Sequence, residues 1–148
     1  MLDALSIKSH KGTYKARFTT QLLLDPNFLL EGEPHFIVDQ KIAELYAVQL
    51  RSILASPNVT LIEAKEANKS LESAAQLISV LVEQKTRRNH HLVAIGGGIT
   101  QDLVCFIAST LLRGIDWKFV PTTLLAQADS CIGSKSSINV GEAKNIVG

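Results

Sequence analysis

Aromatic residues are scarce, making up 5% of the 148 residues, and there is one tryptophan. Only two cysteines occur, Cys105 and Cys131, too few for the disulfide framework of a small secreted domain. Cys105 lies inside an apolar stretch and reads as a small core residue. Charge of one sign is also missing. Fifteen Lys and Arg against 14 Asp and Glu leave a formal net charge of +1, so no field draws in nucleic acid or an anionic membrane. The densest basic group, Lys85, Arg87 and Arg88, reads as a helix end and not as a polyanion site. No apolar run is long enough to span a bilayer, and the amino end has no signal-peptide pattern. The expectation is a soluble cytoplasmic protein. Zinc spacings are absent too: His90 and His91 would point to opposite faces of a strand, and His10 and His35 have no evident partners.

What the chain has in quantity is apolar residues, 46%, enough for the core of one domain over 1–148. Leu5–Lys8 and Tyr14–Phe18 alternate in polarity about a His10-Lys11-Gly12 turn, which predicts an amino-terminal β-hairpin. Asp25-Pro26-Asn27 and Glu31 to Pro34 are loop signals. Short apolar runs at His35–Val38, Val59–Ile62, Leu92–Ile95 and Trp117–Val120 then alternate with helical patterns. Those patterns are Lys41–Leu54 (Ile42, Leu45, Tyr46, Gln49, Leu50 and Ile53 at helical spacing), Lys69–Lys85 (Leu71, Ala74, Ala75, Ile78, Leu81 and Val82 on one face) and Ile99–Leu112 (Leu103, Phe106, Ile107 and Leu111 inward). This alternation predicts an α/β, Rossmann-like domain with a mainly parallel sheet and helices on both faces.

In such a sheet, ligands collect where strands hand over to helices. Gly96-Gly97-Gly98 occupies one handover, six residues before Asp102. Its bare backbone could lie against a pyrophosphate at a helix amino terminus, or could simply make a tight strand–helix turn. It is not G-x-G-x-x-G, since Ile99, Thr100 and Gln101 follow. Gly133-Ser134-Lys135-Ser136 imitates a phosphate-binding P-loop, but Ser134 stands where that motif needs glycine.

Residues 113–139, RGIDWKFVPTTLLAQADSCIGSKSSIN, with AKNIVG at 143–148, resemble the dehydroquinate synthase family of sugar-phosphate cyclases. The resemblance is strongest from His91 to Gly148 and traceable from about His35. It implies conversion of a seven-carbon keto-acid sugar phosphate (DAHP) to 3-dehydroquinate and phosphate, on the shikimate route to aromatic amino acids. It also implies NAD used catalytically and a divalent metal, zinc or cobalt. By position, Gly97, Gly98 and Asp102 would lie along the NAD pyrophosphate, and Thr122 and Thr123 would also meet the cofactor. Thr-Thr after Pro121 would equally serve as a helix cap. Asp39 matches an aspartate on the adenosine side, although the family's asparagine two positions later is Lys41. Glu66-Ala67-Asn68-Lys69 matches an E-x-x-K element near the adenine ribose, and alone it reads as an i,i+3 ion pair. Arg113 matches an arginine that reaches the substrate phosphate across a dimer interface, a task that suits its fork of donors. Asp129, Lys135 and Asn145 match substrate contacts, and Lys144 matches a cofactor contact.

Two positions depart from the family pattern. Gly-Gly-Lys is here Gly133-Ser134-Lys135, and the glycine that commonly precedes the family's aspartate is Gln101. The family's metal ligands, a Glu and two His, lie in a helical carboxyl-terminal domain past the KN-x-x-G element, within which this sequence stops. The expectation is therefore an NAD-binding domain with no metal ligands of its own, inactive alone, and a homodimer in the full-length protein. Three alternatives remain open: a cyclase acting on sedoheptulose 7-phosphate or glucose 6-phosphate, a polyol dehydrogenase-like protein, and a noncatalytic NAD-binding module.

Overall fold

The computed structural model describes residues 4–9, 12–19, 27–133 and 136–148. A two-stranded antiparallel hairpin, β1 (Ala4–Ser9) and β2 (Gly12–Arg17), opens the chain as its alternation predicts. His10 and Lys11 of its turn, with Asp25 and Pro26, fall outside the described residues. A short helix, α1 (Asn27–Leu30), leads into the central sheet.

That sheet consists of β3 (Pro34–Asp39), β4 (Val59–Ile62), β5 (His91–Gly96) and β6 (Asp116–Pro121). The strands are parallel throughout, in the order β4-β3-β5-β6. The chain steps outward from β3 to β4 and then returns past β3 to β5, so its direction of winding reverses between β3 and β5. A crevice forms at such a reversal, outside the carboxyl ends of the strands. Val38 pairs with Ile95 and Gly96 with Pro121, which brings Asp39, the glycine run and Thr122 to one edge of the sheet.

Successive side chains on a strand face opposite ways, and both faces are covered. Phe36, Val38, Val93, Ile95 and Val120 pack with Leu29, Ala43, Leu50 and Ile53. Ile37, Leu92 and Ala94 pack on the other face with α4 (Leu71–Glu83) and α5 (Gly98–Thr110). Each large apolar side chain so buried contributes about 1.5–3 kcal/mol. Ser70 caps α4, its hydroxyl accepting from the Ser73 N–H at 3.2 Å. The buried stripe of α4 is Ala74, Leu77 and Leu81; Ala75 and Val82, expected on one face with Ala74 and Leu81, are exposed. Cys105 is half-buried on α5 and not a full core residue.

The predicted helix over 41–54 is broken. It consists of α2 (Gln40–Leu45), a stretch of turn, and α3 (Arg51–Leu54). Leu45, Tyr46 and Gln49, three of the residues at helical spacing, are exposed. Helices are held mainly by packing, and no residue from 44 to 49 is buried against the sheet. Tyr46 and Val48 also lower helix propensity there. After β6 come a π-helical turn (Ala126–Ser130) and a small antiparallel pair, β7 (Ile138–Val140) and β8 (Ala143–Val147). No helix among the described residues is long and apolar enough to cross a membrane.

His35, which has no evident metal-binding partner in the sequence, is a structural histidine, buried at the amino-terminal edge of the sheet and well connected. Its Nδ1 meets Gln84 Oε1 at 3.2 Å and its Nε2 meets His90 Nδ1 at 3.0 Å. The Gln84 oxygen only accepts, so His35 Nδ1 carries the proton and Nε2 accepts from His90. Burial holds His35 below the usual imidazole value, helped by the His90 ring and opposed by Gln84 and Glu33. Burial, then Lys118, does the same to His91. Above the unfolded-chain pKa of about 6.5 both states are neutral and the fold keeps its full stability. Below it, the unfolded chain takes up protons that the folded chain refuses, so stability falls with pH until the folded-state values are passed. The urea midpoint should thus be lower at pH 5.5 than at 7.5, with a shallower slope in His35→Gln. Equal slopes in the two proteins would remove His35 from the account.

Candidate functional site at the carboxyl ends of β3 and β5

The glycine run is three different positions. A Cβ on Gly96 would lie 2.7 Å from the Thr100 Cβ, so its bareness is needed for strand and helix to pack. A Cβ on Gly97 would meet the Thr123 methyl at 3.0 Å. On Gly98 it would meet only Ser130 Oγ, at 4.0 Å, so internal packing does not require glycine there. Gly97 is the N-cap of α5 and offers no side-chain cap. The first N–H groups of this 13-residue helix, and the positive end of its dipole, therefore stand at the crevice.

Around this turn, Thr100 Oγ1, Gln101 Oε1, Thr122 Oγ1 and Ser130 Oγ are buried with no hydrogen-bond partner among the described residues. Buried polar groups nearly always find partners, so such a group of oxygens fits a site that receives polar ligand atoms or water. Thr122 is held by its N–H, which donates to the Gly96 carbonyl at 2.9 Å. Thr123 does cap the following turn, its Oγ1 accepting from the Ala126 N–H at 3.2 Å. Asp39 closes β3 and caps α2, accepting from the Lys41 N–H at 2.9 Å.

A second group lies beside the turn. Lys69, only 6% exposed, donates from Nζ to Asp102 Oδ2 at 3.2 Å and to Asn145 Oδ1 at 2.7 Å. Glu66 Oε1 is 3.9 Å away, the i,i+3 pair expected from sequence, but Asp102 is the nearer carboxylate. Asn139 joins the ends: its Nδ2 donates to Glu66 Oε1 at 2.9 Å and its Oδ1 accepts from the Asn145 N–H at 2.9 Å. The Asn139 hydrogen bond, with the charges of Lys69 and Lys144, holds the Glu66 carboxyl below the ordinary carboxylate range despite some desolvation. Asn145 adopts φ +57°, a left-handed conformation that asparagine tolerates. Glu66, Lys69, Asp102 and Asn145 are thus brought together, whereas the family resemblance had divided them between cofactor and substrate.

Of the remaining expected residues, Lys144 is near enough for its charge to act on Glu66, while Arg113 and Asp129 are not part of this network. Arg113 is exposed just past α5, where Leu112 at φ +53° and Arg113 at φ +66° turn the chain through the left-handed region. Asp129 is exposed on the π-helical turn, and Lys144 is exposed on β8. Lys135 lies outside the described residues. Two residues that sequence reasoning did not assign to the site are Asn139, the hub of the network, and Ser137, whose Oγ lies 3.4 Å from Asp102 Oδ2. Among the described residues, no group of three His, Cys, Asp or Glu could hold a metal ion.

A parallel sheet with a bare helix amino terminus at its winding reversal defines an α/β protein of the nucleotide-binding class. The amino-terminal model of 3-dehydroquinate synthase matches residues 59–148, and the chain belongs to that family. It is 43% identical over 116 residues to a 3-dehydroquinate synthase of Enterococcus faecalis, covering 76% of this chain and 32% of the relative. It is 35% identical to that of Pelagibacter ubique, covering 99% of this chain and 42% of the relative. The chain therefore spans about a third of the length of the curated relatives it matches (32% in the first). Among solved structures, a 2-deoxy-scyllo-inosose synthase shares the fold with a TM-score of 0.83 at 23% identity, over 97% of this chain and 43% of that one. A 2-epi-5-epi-valiolone synthase from Streptomyces hygroscopicus, solved with NAD+ and Zn2+ bound, matches with a TM-score of 0.74 at 29% identity. That match covers 87% of this chain and 38% of the other.

Proposed function

We propose that residues 1–148 are the NAD-binding domain of a 3-dehydroquinate synthase that cyclises DAHP with loss of phosphate. The observation that carries this reading is the open Gly98 at the amino terminus of α5, on the crevice where the sheet reverses. NAD+ supplies a hydride acceptor when bound. Gly97, Gly98, Thr122 and Thr123 would receive its pyrophosphate region, with Asp102 beside them. Asp39 would accept from the adenosine ribose, and Glu66, Lys69 and Lys144 would complete the cofactor side. The orphaned oxygen of Thr122 fits a polar occupant there. The substrate side would be Asp129, Lys135 and Asn145, with Arg113 reaching the phosphate from a second subunit of a homodimer. The exposure of Arg113 leaves its guanidinium free for that task. The divalent metal, zinc or cobalt, would be held by a carboxyl-terminal domain, and the setting would be the cytoplasm.

A second reading keeps the scaffold and changes the sugar. Both solved neighbours above are cyclases of other names, and Gln101 departs from the usual glycine. The test is phosphate release by the complete protein with NAD+, Co2+ and three sugar phosphates in turn. DAHP should be turned over at least about a hundredfold faster than glucose 6-phosphate or sedoheptulose 7-phosphate, a difference of roughly 2.7 kcal/mol in barrier. Preference for either of the other two would transfer the assignment to the second reading. Accumulation of NADH from a simple polyol would favour a dehydrogenase.

A further inference from the structure

The segment from Asp129 to Gly133 is tied down from outside at two points. On α5, Gln101 is 4% exposed, and its Nε2 donates to the Ser130 carbonyl. On the amino-terminal hairpin, the Tyr14 hydroxyl accepts from the Gly133 N–H at 3.0 Å. Between these ties the chain is locally wound. Cys131 N–H donates to the Ala126 carbonyl at 2.9 Å, Ile132 N–H donates to the Asp129 carbonyl at 3.1 Å, and Gly133 turns at φ +141°. The turn from Ala126 to Ser130 is π-helical, a wide winding that needs outside support and recurs at functional sites.

We propose that Gln101 and Tyr14 are positioning residues that set where Asp129 stands, by anchoring the chain on its carboxyl side at Ser130 and Gly133. The inference rests on the assignment of the Asp129 side chain to the substrate. Gln101 adjoins Asp102 on α5, so one helical turn holds both the substrate segment and the Lys69 network. The hairpin, which makes no part of the central sheet, thereby gains a role: it fixes the far end of the same segment.

The tests are Gln101→Met, which keeps the side-chain length and removes the donor, and Tyr14→Phe, which removes the acceptor oxygen. Losing one hydrogen bond should speed amide exchange at Cys131, Ile132 and Gly133 by about tenfold, leaving the amides of β5 unchanged. In the same variants, affinity for DAHP at saturating NAD+ should fall by about tenfold while NAD+ affinity stays within about twofold. Unchanged exchange at the three amides in both variants overturns the proposal, whatever the ligands do. Equal losses of NAD+ and DAHP affinity also overturn it, because that pattern marks general damage. A wild-type chain that binds no NAD+ removes the parent assignment, and the exchange result still decides whether the two ties hold the segment.

Discussion

Lys69→Met should lower stability by about 3 kcal/mol, roughly 10 °C in Tm for a domain of this size. Lys69 is the sole cation within bonding distance of Asp102 among the described residues, and it is 8% exposed at the side chain against 23% for Asp102. Removing it strands a carboxylate that is three-quarters out of water, and removing one member of such a pair costs more than the pair itself is worth. The Asn145 carbonyl oxygen would lose its donor at 2.7 Å in the same step. A Lys69→Met, Asp102→Asn double variant should regain part of the loss, because no unpaired charge remains. A double-mutant cycle by urea unfolding measures this coupling, expected at about 1–3 kcal/mol. Additive single effects would mean that the two groups do not act as a pair.

The second large effect separates the glycines. Gly96→Ala should destabilise by about 2–3 kcal/mol, because its methyl would lie 2.7 Å from the Thr100 Cβ in the first turn of a packed helix. Thr100 is fully buried, so it has nowhere to go. Gly98→Ala should leave stability within about 0.5 kcal/mol, since only Ser130 Oγ at 4.0 Å faces the added carbon. Its effect should instead fall on NAD+, with affinity lowered at least about tenfold, because in the proposed binding mode the methyl would stand between the backbone and the pyrophosphate. Thermal melts and calorimetric titrations of both variants give the four numbers needed. Equal destabilisation by the two substitutions would contradict the distinction drawn between them.

The alternation of strand and helix was legible because its causes are local. Period-two hydrophobicity at 4–17, continuous apolar runs at 35–38 and 92–95, and the turn residues between them act within a few residues of one another. The break at 46–50 was not legible, since it depends on which residues reach the sheet. The strand order was also hidden: nothing in the sequence places β5 beside β3 in preference to β4. The crevice follows from that order, and so does the Lys69 network. Lys69 meets Asp102 across 33 residues and Asn145 across 76, and only the folding-back of β7 and β8 brings the last of these in. Resemblance named these residues one at a time, and the structure supplies the contact among them. Gln101 was visible as a departure from the family pattern, while its bond to Ser130, across 29 residues, was not. His35 gives the same lesson: a lone histidine in sequence acquires Gln84 and His90 only once β3 and β5 are neighbours.

The central claim is that this chain carries an NAD-binding crevice at the Gly97–Gly98 end of β5. Isothermal titration of NAD+ into the 148-residue chain, beside the Gly98→Ala variant, tests it most directly. Saturable binding of one NAD+ per chain is expected, weakened at least about tenfold by the alanine while the variant melts like the wild type. No heat of binding to the wild-type chain, or equal affinity in the two proteins, would contradict it.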